Sequence, residues 1–158
     1  MKQSSKILLL GAGLLALYWL PTLWAVVKMK VSFIGARLKS LKNETLSVEL
    51  YLQCDNNSSV PVTIQAGKID MYFNEYYFGT GEIGMYNYIA AHRSSVVSVV
   101  IDVPFTSALK AAWNSLLDGR LVENETLTLT GVVMINNKRV KVPAITFNAE
   151  EIENAING

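Results

Sequence analysis

The side chains that could carry out chemistry in this chain are few and far apart. Cys54 is the only cysteine and His92 the only histidine, so a thiol nucleophile activated by an imidazole would have to use this pair. Cys54 ends an alternating stretch on the side of the aliphatic residues, which predicts a buried structural thiol. His92 precedes a β-branched stretch in a polar segment and is predicted to lie in a loop. A single histidine also excludes a histidine cluster that could bind a metal ion.

Carboxylates form two groups that could be considered as acid–base pairs. Glu123 and Glu125 flank a turn, whereas Glu150, Glu151 and Glu153 belong to the C-terminal segment. Both positions are typical of solvated surface. The sequence contains no nucleophile elbow, phosphate-binding loop or zinc-binding helix motif. We therefore expect a protein that is not an enzyme and has no catalytic residues, no cofactor and no metal site.

The balance of charge argues against a nucleic-acid partner. From Lys28 onward the chain has 12 cations and 13 acids, so it lacks the basic excess that phosphate backbones require. The local exception is a stretch of five cations from Lys28 to Lys42, before the first acid. This stretch is typical either of solvation next to a membrane or of attraction to anionic headgroups.

Tyrosine is the residue type that most favours recognition in this sequence. Five tyrosines lie between residues 72 and 88, and some of them must point away from the core. An exposed tyrosine favours protein contact because its ring supplies apolar area and its hydroxyl supplies a polar group. The alternative is that these rings cover one face of a sheet. With two isoleucines near the C-terminus, the predicted partner surface comprises Tyr72, Tyr76, Tyr77, Tyr86, Tyr88, Ile152 and Ile156.

The element that must hold any such surface in place is the uncharged run from Ile7 to Val27. Its 21 residues, at about 1.5 Å each, make about 31 Å of helix, which is enough to cross the hydrocarbon of a bilayer. Lysines flank the run on both sides, and aromatic residues lie in its second half, where they would meet a membrane surface. We predict a single-pass membrane anchor with the lipid bilayer as its partner. Its marker residues are Ile7, Leu14, Tyr18, Trp19, Pro21, Trp24 and Val27.

A signal peptide and a buried helix are the two alternatives to a membrane anchor for this apolar run. A cleaved signal peptide has a shorter apolar core, and the best cleavage candidate here, Leu23-Trp24-Ala25, begins with a bulky residue. A helix buried in a large assembly would tolerate Pro21 if neighbours compensated for the lost hydrogen bond.

The orientation of the anchor is also open. The positive-inside rule taken literally favours a cytoplasmic domain, because more cations follow the run than precede it. A short tail before a folded domain is more often exported in bacteria, and we expect the domain on the exported side.

About 130 residues follow the run, enough for one domain, and their apolar residues recur mainly with period two. The clearest alternation runs from Leu46 to Cys54. Further strands are predicted from Val31, Ile69, Tyr76, Ser94, Leu127 and Val140, with turns at Asp55–Ser59, Asn74-Glu75 and Asn136-Asn137. Apolar residues from Ser107 to Gly119 recur at helical spacing instead, which predicts a helix.

These elements predict an all-β fold. We expect an immunoglobulin/fibronectin-III-like β-sandwich with one short helix, preceded by an N-terminal transmembrane helix. The predicted organisation is an anchor at residues 1–28, a sandwich domain at 29–147 and a C-terminal tail at 148–158. Because Asn148-Ala-Glu-Glu resembles a capping box, the tail is either a short helix or a frayed end.

Three segments also follow the pattern of a known family. Residues 54–62 (Cys-Asp-Asn-Asn-Ser-Ser-Val-Pro-Val) match a turn of the form NPN-x-x-P-V, and residues 69–81 match a hairpin of the form Y-x-L-x-x-N-G-x-x-x-G-x-G. The third segment is the β-branched strand to Val103, followed by the predicted helix. In these features the chain resembles the WHy (water stress and hypersensitive response) domain of late embryogenesis abundant (LEA) type 2 proteins. It departs from the pattern at Asn57, where the family has Pro, and at Glu75, where it has Gly.

The resemblance covers about residues 30–147 and implies protection of proteins or membranes under water stress. The first expectation is therefore a non-enzymatic, membrane-anchored β-sandwich that binds or shields something at the membrane surface. The alternative is a structural subunit of a membrane-associated assembly, such as an envelope complex or a membrane-containing virion. In either case we expect protein partners or self-association.

Overall fold

The computed structural model describes residues 21–84, 86–104 and 124–157. Residues 21–28 are helical and form α1. Eight strands and a helix follow: β1 (Met29–Lys42), β2 (Thr45–Asn56), β3 (Val62–Phe73), β4 (Tyr76–Ile83), β5 (Asn87–Ile89), β6 (Arg93–Pro104), β7 (Thr126–Ile135), β8 (Lys138–Asn148) and α2 (Ala149–Asn157). The helix predicted at Ser107–Gly119 lies outside the described residues.

All the strand pairs are antiparallel, and they form one folded, sandwich-like sheet in the order β1-β2-β6-β4-β3-β7-β8, with β5 beside β3. This confirms the all-β prediction. Three hairpins turn on two residues that both have positive φ, namely Asn43-Glu44, Asn74-Glu75 and Asn136-Asn137. Such turns match the right-handed twist of the strands they join, and asparagine tolerates the left-handed conformation. Two of the three were predicted from the sequence.

Side chains of the central strands alternate between the core and the surface. In β2 every second residue from Leu46 to Asn56 is buried, and the register places Leu50 opposite Val99 of β6. On the other layer, Met71 of β3 lies opposite Leu129 of β7, and all four of these apolar side chains are at most 2% exposed. Each such side chain stabilises the fold by about 1.5–3 kcal/mol relative to an exposed position.

Glycines in β4 allow it to approach β6 closely. The two strands pair over three residues only, with Gly81 opposite Ile101. A Cβ atom on Gly81 would collide with the Ile101 side chain and with the carbonyl oxygen of Val100. The register between β3 and β4 shifts so that Phe78 is an extra residue, which makes a bulge next to the Gly79–Gly81 segment.

β1 and β8 are the two ends of the strand order, and they meet along a line that we call the seam. Within the described ranges they share no strand pairing. Their contact is made by side chains: the ring centroids of Phe33 and Phe147 are 5.9 Å apart. At this end of the seam α2 packs against β1, and its Ile152 is fully buried. The helix therefore closes one end of the sandwich.

The segment expected as a C-terminal tail is thus an ordered helix of the domain. Asn148 Oδ1 accepts a hydrogen bond from the Glu151 backbone N–H at 2.9 Å. In return, the Asn148 backbone N–H donates to the Glu151 carboxylate, also at 2.9 Å. This reciprocal pair is the capping box that the sequence predicted, and it satisfies two N–H groups at the start of α2.

Candidate functional site

The β3–β4 hairpin carries three of the predicted recognition tyrosines at its tip. Tyr72 and Tyr77 lie opposite each other in the register, and their rings meet edge to face with centroids 5.7 Å apart. Tyr76 directly follows the turn and is 76% exposed, while Tyr77 is 55% exposed. We call these three residues the hairpin-tip tyrosines. They present aromatic area to solvent on a short, well-paired element.

A chain of hydrogen bonds orders the Tyr77 side chain. The Thr80 hydroxyl donates to the Asp70 carboxylate at 2.5 Å, so its oxygen is left to accept from the Tyr77 hydroxyl at 2.7 Å. A carboxylate acceptor strengthens this arrangement because charge-assisted hydrogen bonds are the stronger ones. Tyr77 is therefore already held in one orientation, and a partner that contacts it would lose less side-chain entropy on binding.

The other two tyrosines lie at the opposite end of β3. Tyr88 pairs with Thr63 at the start of that strand, and Tyr86 precedes β5. Tyr86 and Tyr88 are 74% and 63% exposed. Because nine residues separate Thr63 from Tyr72, the two tyrosine groups are roughly 30 Å apart along the strand. The structure thus divides the five tyrosines of the predicted partner surface into two groups, one near each end of β3.

The two isoleucines assigned to the partner surface belong mainly to the core. Ile152 is fully buried, and Ile156 is half-buried and packs against the core cluster. For Ile152 the prediction of a partner contact is wrong, because α2 uses its apolar face to cover β1. An amphipathic helix pattern shows that one face is covered, but it does not say by which element.

Three of the predicted anchor residues, Pro21, Trp24 and Val27, lie in α1; Ile7, Leu14, Tyr18 and Trp19 lie outside the described residues. In the part of the chain that the structure describes, we find no helix of the length and apolar character needed to span a bilayer. The inner face of α1 is packed on the domain, with Ala25 completely buried. Its outer face exposes Leu23, Trp24 and Val27 by 44%, 57% and 77%.

A buried amide that sequence reasoning missed organises the loop after β2. Asn56 is 1% exposed. Its Nδ2 donates to the carbonyl oxygens of Val60 at 2.8 Å and Ala90 at 3.2 Å. Its Oδ1 accepts from the backbone N–H and the hydroxyl of Ser58, at 3.1 and 2.7 Å. The amide thus uses its full hydrogen-bonding capacity to join two loops. The signal for it was the first Asn of the turn motif that resembles the WHy family.

The single thiol and the single imidazole are placed as the sequence predicted. Cys54 is buried, and this burial raises the pKa of its thiol to about 12, so almost no nucleophilic thiolate forms near neutral pH. His92 is exposed and occupies the turn before β6. Across the described ranges, no three His, Cys, Asp or Glu side chains gather where they could hold a metal ion.

A cavity of about 390 Å³ lies between the two layers of the sandwich. All the side chains that line it are apolar, apart from the buried thiol of Cys54. Its floor is formed by core residues of both layers, among them Leu52, Val97 and Ile135. Its rim is formed by half-buried or exposed residues at the end of the seam away from α2, namely Val26, Val27, Met29, Val31, Val142 and Pro143. The cavity therefore opens beside α1.

Basic residues lie next to the lining residues in the chain. In β1 and β8 they alternate with them, so Lys30 and Lys141 point to the outer face while Val31 and Val142 point to the cavity. The segments that form the opening, residues 21–31 and 138–147, carry five cations and no acid. Lys28, Lys30 and Lys141 are exposed, and Lys28 Nζ lies 4.9 Å from the centre of the Trp24 ring. Lys138 is buried and donates to the Thr22 hydroxyl at 3.3 Å, which ties α1 to β8. The acid nearest in register is Asp55, opposite Lys30, and its carboxylate accepts a hydrogen bond from Gln53 at 2.9 Å.

No family model matches the chain, and no curated protein matches its sequence. It is similar to several solved structures. A crystal structure of a protein from Archaeoglobus fulgidus is 9% identical, with a TM-score of 0.47, over 75% of this chain and 91% of that one. The solution structure of a candidate LEA protein of Arabidopsis is 11% identical, with a TM-score of 0.49, over 90% of this chain and 85% of that one. Another solution structure, of a protein from Arabidopsis thaliana, is 14% identical, with a TM-score of 0.48, over 75% of this chain and 77% of that one.

Proposed function

We propose that this protein is a non-enzymatic binding module, an immunoglobulin-like sandwich that a single N-terminal helix holds at a membrane. The observation that carries the proposal is the exposed apolar face of α1, which continues the uncharged run from Ile7. The single-pass anchor, the exported side for the domain and the absence of a nucleic-acid partner all belong to this proposal.

The two faces of α1 differ in a way that suits a membrane surface. Thr22 and Ala25, three residues apart, are buried against the domain. Leu23, Trp24 and Val27 lie on the other side and expose large apolar side chains. Apolar surface that no part of the domain covers marks a contact with a membrane or another protein. Because the preceding residues are apolar as well, lipid is the contact that we favour.

The residues at the end of α1 fit a membrane–water boundary. Trp24 has the amphipathic ring that is enriched at this level, and Lys28 and Lys30 follow it closely. Lysines in this position keep their charge in water while their alkyl stems cover apolar surface. Cations next to a membrane are also attracted to anionic headgroups, by about 1 kcal/mol each. The domain would then begin at the membrane surface itself.

The resemblance to the WHy domain supports a protective role, in which the module binds or shields proteins or membranes under water stress. The hairpin-tip tyrosines supply a surface suited to a protein partner or to a second copy of the chain. Exposed and ordered tyrosine rings are typical of contacts that contribute most of the binding energy of an interface. No catalytic step enters the proposal.

Membrane fractionation of the full chain tests the anchor. We expect wild-type protein and the Leu14→Ala control to stay in the membrane fraction after an alkaline wash. Leu14→Arg places a charge in the middle of the run at a cost of about 2.5–3.5 kcal/mol, and we expect most of that variant in the supernatant. Equal release of all three proteins would contradict the anchor.

The mass of the full chain in mild detergent tests how the module works. A monomer, or a small complex with an identified partner, agrees with a binding module. A large complex of fixed composition, from which the protein cannot be separated without losing its fold, would instead make it a structural subunit of a membrane-associated assembly.

A further inference from the structure

Charge is distributed unevenly along the strand direction of the sandwich. One row of paired residues crosses seven strands, from Arg37 through Glu49, Glu82 and Lys68 to Lys141. We call the described residues on the α1 side of this row the α1 half, namely those within 21–36, 50–67, 83–99 and 133–140. The row and all the other described residues form the α2 half.

The two halves have opposite net charge. Among the described residues, the α1 half has five cations and one acid, whereas the α2 half has five cations and ten acids. The whole chain has a formal net charge of only +1, so its overall charge hides this separation. The α1 half is therefore suited to an anionic partner, and the α2 half would be repelled by one.

Most of the positive charge of the α1 half is exposed. Its one described acid, Asp55, lies opposite Lys30 in the register. This pairing leaves Lys28, Arg93 and Arg139 without an acid in the same half, and all three side chains are exposed. They extend from α1 to the start of β6 and to β8, so the positive charge is spread over one end of the domain and is not confined to the residues that follow the apolar run.

The second pair of exposed tyrosines lies at the same end. Tyr88 is opposite Thr63 at the start of β3, and Tyr86 is two residues before it. The backbone of Thr63 is hydrogen-bonded to the β7–β8 turn. Lys138, directly after this turn, donates to the Thr22 hydroxyl of α1 at 3.3 Å. Tyr86 and Tyr88 thus belong to a continuous end of the molecule that includes α1.

Exposed tyrosines and cations at one end are suited to a membrane–water boundary. Tyrosine and tryptophan are enriched at this level because their rings are apolar and carry one polar group. Cations near the surface are attracted to anionic headgroups. An acidic protein surface would also attract the cations. We favour lipid because the exposed apolar face of α1, with Trp24 and Val27, lies at this same end.

We propose that the α1 half of the domain docks on the surface of an anionic bilayer. Tyr86 and Tyr88 lie at the level of the headgroups, and Arg93 and Arg139 lie near the phosphates. The docking rests on the proposed function, which brings α1 to a membrane, and it adds a second contact that the folded domain makes. The acids of the α2 half and the hairpin-tip tyrosines then face away from the bilayer, where they remain accessible.

Fluorescence quenching in vesicles tests the docking with the full chain. Tyr86→Cys and Tyr76→Cys each carry an environment-sensitive fluorophore at the new cysteine; these positions are 74% and 76% exposed and lie at opposite ends of the domain. Cys54 is buried, so wild-type protein should take up no label. The vesicles contain phosphatidylcholine and a lipid with a nitroxide at its headgroup, with or without phosphatidylglycerol. We expect phosphatidylglycerol to produce at least twofold quenching at position 86 and none at position 76.

Salt and a matched pair of charge variants test the role of the cations. Raising the salt concentration from about 0.1 M to about 1 M shortens the Debye length from about 10 Å to about 3 Å, which should remove the quenching at position 86. Arg93→Gln with Arg139→Gln should reduce it at least twofold. Lys39→Gln with Lys42→Gln removes two exposed cations from the α2 half and should leave it unchanged.

The salt dependence decides the matter even if the double arginine variant does not fold. Quenching at position 86 that is the same without phosphatidylglycerol, or that persists at high salt, would overturn the docking. A dimer that joins the positive half of one copy to the negative half of another, with no quenching at position 86, would also overturn it and would identify a protein surface as the partner.

Flotation of the same vesicles separates this inference from the proposed function. Flotation with both lipid mixtures but no quenching at position 86 would overturn the docking and leave the anchor intact. Flotation only with phosphatidylglycerol, together with quenching at position 86, would support the docking and count against the anchor. A protein that floats with neither mixture would contradict both.

Discussion

At the scale of single residues, Asn56 has the clearest structural role. A strand that ends in Asp-Asn-Asn-Ser-Ser looks like a generic polar turn, and any of its members could be solvated. In the structure only Asn56 and Ser58 of this group are buried, and the Asn56 amide joins the β2–β3 loop to the turn before β6. The N–H of His92 strengthens the junction by donating to the Ser58 carbonyl at 3.2 Å.

Replacement of Asn56 should therefore destabilise the fold strongly. Asn56→Ala removes the donor to the Val60 and Ala90 carbonyls and the acceptor for Ser58. We expect the free energy of unfolding to fall by about 2–4 kcal/mol, since a buried group left without its partner costs about 1–3 kcal/mol. Urea unfolding of the purified protein measures the change.

The matched control for this prediction is the next residue. Asn57 is exposed, so Asn57→Ala should change the free energy of unfolding by no more than about 0.5 kcal/mol. Similar losses for the two variants would show that the loop depends on general turn propensity and not on the buried amide.

The burial of Cys54 is a property of a single residue that the sequence could predict. Its place at the end of a strictly alternating strand predicted a buried thiol, and the structure confirms this burial. The prediction works because the period of two determines the face of the sheet on which a side chain lies. It could not show that the thiol borders a cavity, because that depends on residues from six other strands and α1.

At the scale of elements, α2 is the helix that covers one end of the sandwich. The sequence supplied its capping box and an apolar pair four residues apart, Ile152 and Ile156, which together predict an amphipathic helix. Neither signal identifies the element beneath the helix. The structure places it on β1, across the end of the seam, where Ile152 is fully buried.

Truncation of the buried isoleucine tests this role of α2. Ile152→Ala should lower the free energy of unfolding by about 2–5 kcal/mol, because the lost burial is added to the cost of the cavity that remains. Thermal or urea unfolding measures it. Glu150→Ala, on the exposed side of the same helix, should change stability by less than about 0.5 kcal/mol. A small effect for Ile152→Ala would mean that the helix is frayed.

At the scale of the whole molecule, the register of β3 places the five tyrosines of the predicted partner surface in two groups that are far apart. The hairpin-tip tyrosines lie near its end, and Tyr86 and Tyr88 lie near its start. The cavity opens at a third place, beside α1. The two tyrosine groups and the cavity therefore lie at three separate places on the domain.

Two pairs of substitutions test which tyrosine surface binds a protein. We expect Tyr76→Ser with Tyr77→Ser to reduce the amount of co-purifying partner, or of dimer, at least tenfold, because each interface hot spot contributes about 2 kcal/mol or more. Tyr86→Ser with Tyr88→Ser is the matched control and should leave the complex intact. Quantitative mass spectrometry of the detergent extract measures the partner. Equal losses would show that the two surfaces act together.

The sequence by itself determined the features that depend on neighbouring residues. Alternation of apolar side chains predicted the strands and the burial of Cys54, the Asn-Glu and Asn-Asn pairs predicted two of the three tight turns, and the capping box predicted the start of α2. These signals are local because side-chain direction, turn conformation and helix capping involve residues at most a few positions apart.

Only the tertiary structure decided which of these elements lie side by side. The meeting of β1 with β8, the cover that α2 provides, the cavity beside α1 and the separation of the tyrosines all join residues far apart in the chain. Such contacts depend on strand order and register. The alternation of apolar residues along a strand does not change with the strand that lies beside it, so it cannot identify that neighbour. For this reason the strands could be predicted from the sequence, whereas the cavity between them could not.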